Sequence, residues 1–294
     1  MIMENKTIKK KRTKIITLSV IGITLVLLIV WVAWGNNALE LNSYSIASNS
    51  LPKEFDGFRI AQVSDLHNAE MGKDNEKLIS MLADAEPDII VITGDMIDSR
   101  NTKVDVALAF AEQAVKIAPC YYVTGNHEAR VDEYSDLKDG LIELGVTVLE
   151  DAKTEMACSG ESIVLVGVSD PSFQTDYLFG DDETVLNSKL NELISEEDGY
   201  VILLSHRPEL FDTYVENKVD LIFSGHAHGG QFRIPFIGGV VAPNQGLFPK
   251  FDAGIYTEGN TNMVVSRGVG NSIIPFRVNN RPEVILIELT TQGE

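Results

Sequence analysis

The chain has 294 residues, of which 44% are hydrophobic, and this is enough for a membrane segment and one large domain. Its formal net charge is −19, yet six of its 24 basic residues lie within the first fourteen positions, beside a single acidic residue, Glu4. The remainder therefore holds 18 basic and 42 acidic residues. A domain that is so acidic repels a nucleic-acid backbone, so we expect no nucleic-acid partner.

The first predicted element is a transmembrane helix over residues 15–34. This stretch has no charged residue, and its twenty residues span about 30 Å as a helix, the thickness of a bilayer's hydrocarbon core. Trp31 and Trp34 lie at its outer end, which is typical of interfacial aromatic residues. The basic cluster precedes the helix, so the positive-inside rule places the N-terminus in the cytoplasm and the remainder outside the cell membrane. A cleaved signal peptide is the alternative, but its apolar region runs over only about 7–15 residues.

After the anchor, strands and helices alternate up to residue 144, which favours a predominantly parallel sheet. From residue 147 to residue 168 the strands follow one another without helices, which indicates an antiparallel portion or a second sheet. We predict strands at 40–47, 58–64, 88–93, 121–124, 147–149, 155–157, 162–168, 200–205, 221–224, 263–266 and 284–289, and helices at 75–85, 104–117, 134–144, 181–197 and 208–216. The strand at 40–47 has the alternation of an edge strand.

The two cysteines are too few for a disulfide framework. Cys120 lies in a predicted strand, so we expect it to be a buried thiol. A single disulfide with Cys158 in an extracytoplasmic domain is the alternative.

Side chains that can bind metal follow five of the apolar runs. They are Asp65 and His67, Asp95 and Asp98, Asn126 and His127, His206, and His226 and His228. The chain has five histidines, and all of them lie at these positions. Ligands of open α/β sheets bind outside the carboxyl ends of the strands, and imidazole suits Zn, Mn, Fe or Cu. The pattern therefore predicts a metal site, whereas histidines scattered through turns are the alternative.

Together these residues resemble the five ordered motifs of the calcineurin-like metallophosphoesterases. The motifs read Asp65-x-His67, Gly94-Asp95-x-x-Asp98, Gly125-Asn126-His127-Glu128, His206 and Gly225-His226-x-His228. The resemblance covers residues 55–290. Gly229-Gly230-Gln231 and the apolar N-terminal segment are similar to the membrane-associated branch of YkuE-like and YaeI-like phosphodiesterases.

This resemblance implies a mixed α/β fold, in which a two-sheet β-sandwich is flanked by helices on both outer faces and preceded here by one transmembrane helix. We divide the chain into a basic cytoplasmic tail (1–14), a transmembrane signal-anchor (15–34), a linker with the edge strand (35–54) and a metallophosphoesterase domain (55–294).

The resemblance also implies two divalent metal ions, of Mn, Fe or Zn, bridged by Asp95. One metal site would be completed by Asp65, His67 and His228, and the other by Asn126, His206 and His226. His127 and Asp98 would be catalytic: His127 lies over the substrate in the family, and Asp98 orients it and would raise its pKa. We expect Glu128 to be structural. Four arginines are candidates for phosphate contacts, with ordinary ion pairs as the alternative: Arg207, Arg233, Arg267 and Arg277.

The implied activity is hydrolysis of a phosphate ester, favouring a diester, by attack of a hydroxide that bridges the two metals. The alternative within enzymes is a pyrophosphohydrolase acting on a nucleotide-linked lipid precursor. A metal-stabilised binding module without turnover is a third hypothesis, which the intact His127–Asp98 pair disfavours. A metallo-β-lactamase-like hydrolase is excluded by the absence of the His-x-His-x-Asp-His signature. The sequence does not settle the oligomeric state.

An apolar loop follows the last motif and contains Phe232, Ile234, Pro235, Phe236 and Ile237. We expect it to rim the metal site, close to the bilayer, and so to favour a lipid-linked substrate. The alternative is that these side chains pack beneath the sheet.

Overall fold

The computed structural model describes residues 2–174 and 181–291 and shows a mixed α/β sandwich of two six-stranded sheets. The proposed domain over 55–294 also includes residues 175–180 and 292–294, which lie outside the described residues. The helices are α1 (Ile2–Asn37), α2 (Glu76–Asp84), α3 (Val104–Ala114), α4 (Tyr134–Glu143), α5 (Asp182–Leu193) and α6 (Phe211–Glu216). The strands are β1 (Glu40–Ser48), β2 (Arg59–Val63), β3 (Ile89–Thr93), β4 (Cys120–Val123), β5 (Thr147–Val148), β6 (Ala152–Cys158), β7 (Glu161–Gly167), β8 (Val201–Leu204), β9 (Leu221–Ser224), β10 (Arg233–Ile234), β11 (Gly238–Gly239), β12 (Val241–Ala242), β13 (Gly246–Leu247), β14 (Gly254–Glu258), β15 (Thr261–Val265) and β16 (Glu283–Thr291).

The first sheet has the strand order β1-β16-β2-β3-β4-β5. All neighbours in it are parallel except β16 and β2, which confirms the predicted predominantly parallel sheet. The predicted edge strand β1 does lie at the edge, where it pairs with the C-terminal strand β16 from Glu40↔Glu283 to Ser48↔Thr291. The first strand after the anchor and the last described strand therefore belong to one sheet.

The second sheet has the order β14-β15-β9-β8-β7-β6 and confirms the prediction drawn from the strands that lack intervening helices. Its central strands are parallel, and the outer pairs β14–β15 and β6–β7 are antiparallel hairpins. The predicted strand at 155–157 is the middle of the longer β6.

Alternation along the strands divides the apolar side chains among three cores. On β7, Ile163 and Leu165 face the first sheet and pack in a core built from both sheets. Val164 and Val166, one residue out of phase, face α5 and α6 in a second core. The outer face of the first sheet packs against α2, α3 and α4. Helices thus cover both outer faces of the sandwich, as predicted.

The predicted elements differ from the structure mainly at helix ends and in small hairpins. Helix α5 ends at Leu193 rather than at residue 197, and α6 is preceded by a 3₁₀ turn over Pro208–Leu210. The two-residue pairs β10–β11 and β12–β13 and the strand β14 were not predicted. Strands of two residues in a Gly-rich segment are too short to show the alternation of apolar and polar residues by which a strand is recognised.

Within the described part of the chain, one helix is long and apolar enough to cross a membrane, over Lys10–Asn37. Its last turn is attached to the domain. The Asn36 side chain donates to the Arg277 carbonyl at 2.9 Å and accepts from the Arg277 N–H at 2.8 Å. The Arg281 guanidinium lies 5.2 Å from the centre of the Trp34 ring. Because β1 begins at Glu40, only two residues separate the helix from the first sheet.

The two cysteines are free thiols, and Cys120 is buried, as predicted.

Candidate metal centre

The predicted metal ligands meet at the carboxyl ends of β2, β3, β4, β8 and β9, where the chain turns sharply out of each strand. Several of them have left-handed backbone: φ is +50° at Asp65, +44° at His67, +51° at Asp95, +65° at His226 and +48° at His228. Such angles are uncommon for residues other than glycine and cluster at functional sites. They turn side chains from neighbouring strands toward one point.

Glycines permit these loops to approach one another. A Cβ atom on Gly125 would lie 2.2 Å from Asp95 Oδ1, and one on Gly225 would lie 2.0 Å from Ser64 Oγ. Gly94 has a φ of +88°, and a Cβ atom there would lie 2.5 Å from the Gly125 nitrogen. The glycines of three motifs are therefore required by close packing around the two aspartates.

The first cluster of candidate ligands consists of Asp65, His67 and His228, all buried. The two imidazole Nε2 atoms lie 3.2 Å apart, and His228 Nε2 lies 3.4 Å from Asp65 Oδ1. Burial lowers the pKa of His228 to about 3, so its ring is neutral and keeps a lone pair. Asp65 is held by the Ser64 hydroxyl at 2.6 Å and by the His226 N–H at 3.2 Å.

The second cluster consists of Asp95, His206 and His226. His206 Nδ1 lies 2.7 Å from the Thr93 carbonyl and donates to it, so Nε2 is the ring nitrogen that faces the site. That Nε2 is buried, has no hydrogen-bond partner among the described residues and lies 3.3 Å from Asp95 Oδ2. The Asn126 Oδ1 atom is likewise buried and unpartnered. Buried acceptors facing no donor fit a bound cation.

Asp95 belongs to the second cluster and also lies beside His67 of the first, in a group with His67 and His127. Its Oδ2 atom lies 3.5 Å from His67 Nε2 and 3.3 Å from His206 Nε2, and its Oδ1 atom accepts from the His127 N–H at 2.8 Å. The carboxylate is buried, so it lies between the histidines of the first cluster and those of the second.

His127 stands beside the first cluster, with its ring centre 4.5 Å from that of His67. Its Nδ1 atom accepts from the Ser99 N–H at 3.0 Å, and an N–H can only donate, so the neutral ring is protonated at Nε2. The Ser272 hydroxyl lies 3.3 Å from that Nε2. His127 therefore presents a hydrogen-bond donor at the site.

The predicted partnership of Asp98 with His127 is not a hydrogen bond in this structure. Asp98 Oδ1 lies 3.7 Å from His127 Nδ1, and the carboxylate instead accepts from the backbone N–H and Nε of Arg100, both at 2.9 Å. Burial lowers the pKa of His127 overall, and the charges of Asp95 and Asp98, which raise it in the expected direction, oppose this only partly. Sequence reasoning missed Ser99 and Arg100, since neither belongs to a motif.

Glu128 has the structural contacts that we expected. Its carboxylate accepts from the backbone N–H groups of Asp95 at 2.9 Å, Gly125 at 2.8 Å and Ile97 at 3.3 Å. Burial and the charge of Asp95 raise the pKa of Glu128 to about 7. Glu128 thus fastens the loop after β3 to the loop after β4.

The four candidate arginines are bound within the protein. Arg207 makes two hydrogen bonds to Asp170, at 2.5 and 2.9 Å, and Arg233 lies 3.1 Å from Asp252. Arg267 lies 2.6 Å from Glu283. The fully buried Arg277 donates to Asn271 Oδ1 at 3.0 Å and to the Arg267 and Gly270 carbonyls. The ion-pair alternative therefore applies to the first three, and Arg277 braces a loop.

The apolar loop after the last motif is exposed, so the packing alternative is wrong for most of it. Ile234, Phe236 and Ile237 are exposed, whereas Phe232 is half-buried against the Phe276 ring, with 5.5 Å between their centres. Asn244, which the sequence did not indicate, follows in the next hairpin, and its Oδ1 atom lies 3.4 Å from His226 Nε2.

Comparison with a family model and with known proteins identifies metallophosphoesterases as relatives of this chain. The family model described as calcineurin-like phosphoesterase matches residues 58–230. The uncharacterized metallophosphoesterase YkuE of Bacillus subtilis is 30% identical over 259 residues, which are 85% of each chain. The phosphodiesterase YaeI of Escherichia coli is 27% identical over 79% of this chain and 82% of its own.

A transmembrane protein with metallophosphoesterase domain from Danio rerio is 27% identical over 83% of this chain, which spans 56% of that relative. Among solved structures, TT1561 of Thermus thermophilus superposes with a TM-score of 0.50 over 72% of this chain and 90% of its own, at 15% identity. The superposition supports the fold of the sandwich.

Proposed function

Because the chain belongs to the calcineurin-like phosphoesterase family, in its YkuE-like and YaeI-like branch, and is a metal-dependent hydrolase of phosphate esters, we propose that it is a two-metal phosphodiesterase. The observation that carries the two-metal proposal is the position of Asp95. Its buried carboxylate lies within 3.5 Å of His67 Nε2 and within 3.3 Å of His206 Nε2. One carboxylate can therefore serve both clusters of ligands.

The residues of the site fit divalent ions of the Mn, Fe or Zn type. His67 and His228 with Asp65 would hold one ion, and His206 and His226 with Asn126 would hold the other, with Asp95 shared. Neutral imidazole nitrogens, carboxylates and an amide oxygen are suitable donors for these metals. When bound, two such ions supply Lewis-acid polarisation of the phosphoryl oxygens and activate water as the nucleophile.

His127 supplies a hydrogen-bond donor from the chain itself. With Nδ1 accepting from the Ser99 N–H, the Nε2–H, which now lies 3.3 Å from the Ser272 hydroxyl, would turn to an oxygen of the substrate and stabilise the negative charge that develops there. Asp98 acts on His127 indirectly. Arg100 binds the Asp98 carboxylate and also donates to the carbonyl of Ser272, the residue that lies beside His127. We assign Asp98 the role of holding this loop, and we retain His127 as the catalytic residue.

The proposed setting is a cell membrane crossed once by residues 15–34, with the tail over 1–14 in the cytoplasm and the domain outside. The apolar helix and the basic cluster before it support this orientation. The exposed Phe236 and Ile237 support a diester that carries a lipid group.

The test is metal analysis of the full-length protein in detergent, with hydrolysis of bis- and mono-p-nitrophenyl phosphate under Mn, Zn, Fe and Co in turn. We expect about two metal ions per chain and a higher kcat/KM on the bis-ester. Binding of two ions without turnover of any ester would support a binding module instead. Faster cleavage of a nucleotide-linked lipid pyrophosphate than of any diester would favour the pyrophosphohydrolase.

A further inference from the structure

The apolar loop is part of a larger exposed surface. Three segments contribute large apolar side chains to it: the β10–β11 hairpin, the β12–β13 turn and the loop before Arg277. Phe236 is fully exposed, Leu247 is 71% exposed and Ile273 is 73% exposed. We call this set the apolar face; its members are Ile234, Phe236, Ile237, Leu247, Phe248, Ile273 and Phe276. Clustered apolar side chains on a surface mark a site of contact with a partner or a membrane.

Direct contacts join the three segments. The rings of Phe232 and Phe276 touch, and Phe232 also forms a β-bridge with Val278. The Val240 N–H donates to the Phe232 carbonyl at 2.9 Å, and the Phe248 N–H donates to the Val240 carbonyl at 2.8 Å. The three segments that carry the exposed side chains are therefore directly connected, and we call them together the platform.

The platform also borders the metal centre, at three points. Ser272, next to Ile273, lies 3.3 Å from His127 Nε2. Asn244, in the β12–β13 turn before Leu247, lies 3.4 Å from His226 Nε2. Arg233, in the β10–β11 hairpin, donates to the carbonyl of Gly229, next to His228, at 2.9 Å. Each segment of the apolar face is thus fixed beside a histidine of the site.

The end of the anchor lies against the same platform. Asn36 bonds to both backbone groups of Arg277, next to Phe276. Asn279 lines the cavity beside Trp31 and Trp34 and also the depression beside Phe236. Interfacial tryptophans mark the level of the lipid headgroups, so the platform begins where α1 leaves the bilayer.

We propose that the apolar face rests in the headgroup region of the bilayer that α1 crosses, so that the metal centre opens toward membrane phosphoesters. This inference rests on the membrane setting proposed above. The bilayer is the occupant that the structure favours, because the two-residue joint and the Asn36 contacts hold the platform at the anchor's exit. The large net negative charge outside the N-terminal tail means that apolar contact, rather than attraction to anionic lipid, supplies the affinity.

Fluorescence quenching by brominated lipid tests this contact without any dependence on activity. Both tryptophans of the chain lie in α1, so Trp31→Phe with Trp34→Phe gives a background free of tryptophan. Phe236→Trp in this background places one probe on the apolar face. Ile142→Trp is the matched control, because Ile142 is 52% exposed on α4, outside the apolar face. The full-length variants are placed in phosphatidylcholine vesicles with brominated chains.

We expect quenching at position 236 at least about threefold stronger than at position 142, and comparable to that of the two tryptophans, Trp31 and Trp34, in the parent chain. Equal quenching at positions 236 and 142 would overturn the proposal. A chain that is dimeric by light scattering, with position 236 unquenched, would assign the face to a second copy and would also overturn it. Hydrolysis of a soluble diester is measured on the same samples: its absence beside strong quenching would contradict the proposed function and leave the membrane contact standing.

Discussion

Replacement of Glu128 offers a quantitative test of how the metal centre is held together. Its buried carboxylate accepts two short hydrogen bonds through Oε2, from the backbone N–H groups of Asp95 and Gly125. It accepts a longer one through Oε1, from the Ile97 N–H. Glu128→Ala leaves these donors without partners, at about 1–3 kcal/mol for each well-made bond. We therefore expect the free energy of unfolding to fall by about 3–5 kcal/mol, with loss of metal because the Asp95 loop is released.

Glu128→Gln is the matched control. Its amide oxygen can take the place of Oε2 and keep both short bonds, so only the 3.3 Å bond from Ile97 is lost. We expect a loss of about 1 kcal/mol with metal retained. Urea unfolding of the full-length protein in detergent, followed by far-UV circular dichroism, measures both variants; tryptophan fluorescence would report only on α1, which contains both tryptophans. An alanine variant as stable as the glutamine variant would refute the reasoning.

Three further predictions concern single side chains. Asp95→Asn should lose metal from both clusters and reduce activity at least ~100-fold, and elemental analysis showing two retained ions would contradict the bridging assignment. His127→Ala should keep both ions while kcat falls roughly 100- to 10,000-fold; metal loss in parallel with activity would make it a ligand. Burial raises the pKa of the Cys120 thiol to about 12, so at pH 8 a thiol reagent should modify Cys158 alone in the native protein and both cysteines in urea. Fast reaction of two thiols in the native state would show that Cys120 is accessible.

The sequence patterns predicted the parallel sheet, the second group of strands and the convergence of the ligands because all three depend on local patterns, whereas the two-sheet sandwich was implied by the family resemblance. Buried strands are recognised from apolar runs such as 88–93, and residues that follow parallel strands lie at the carboxyl edge of their sheet. Here the carboxyl edges of both sheets contribute to the site, through β2, β3 and β4 in the first and β8 and β9 in the second. The family resemblance then supplied roles that spacing cannot provide, such as the sharing of Asp95. The hairpins at β10–β13 escaped prediction because their backbone pairing involves only two residues on each strand.

The partners of His127 and of the arginines could not be predicted, because they depend on loops that meet only in three dimensions. Asp98 is close to His127, yet Arg100 binds it and the Ser99 N–H takes the histidine nitrogen. Arg277 looked like a candidate for binding phosphate, but burial lowers its pKa to about 10, and it donates to backbone carbonyls. No short-range pattern distinguishes a buried brace of this kind from a surface arginine.

Asn36 connects the membrane anchor to the metal centre, and its removal should lower activity without changing localisation. Its side chain bonds to the backbone of Arg277, which braces the Arg267 and Gly270 carbonyls. The Gly270 N–H in turn donates to the Asp65 carbonyl at 2.7 Å, so three hydrogen-bond contacts lead from the last turn of α1 to a candidate metal ligand.

Asn36→Ala removes the two bonds to the Arg277 backbone, at about 0.5–1.5 kcal/mol each, so we expect the loop to loosen and kcat/KM on a soluble diester to fall about 3- to 10-fold. Asn37→Ala is the control, since among the described residues the Asn37 amide bonds to the Ala33 carbonyl, within its own helix. The assay is hydrolysis by equal amounts of membrane-bound protein, with metal content measured in parallel. Equal activity of the Asn36 and Asn37 variants would show that the anchor holds the domain near lipid but does not support its active site.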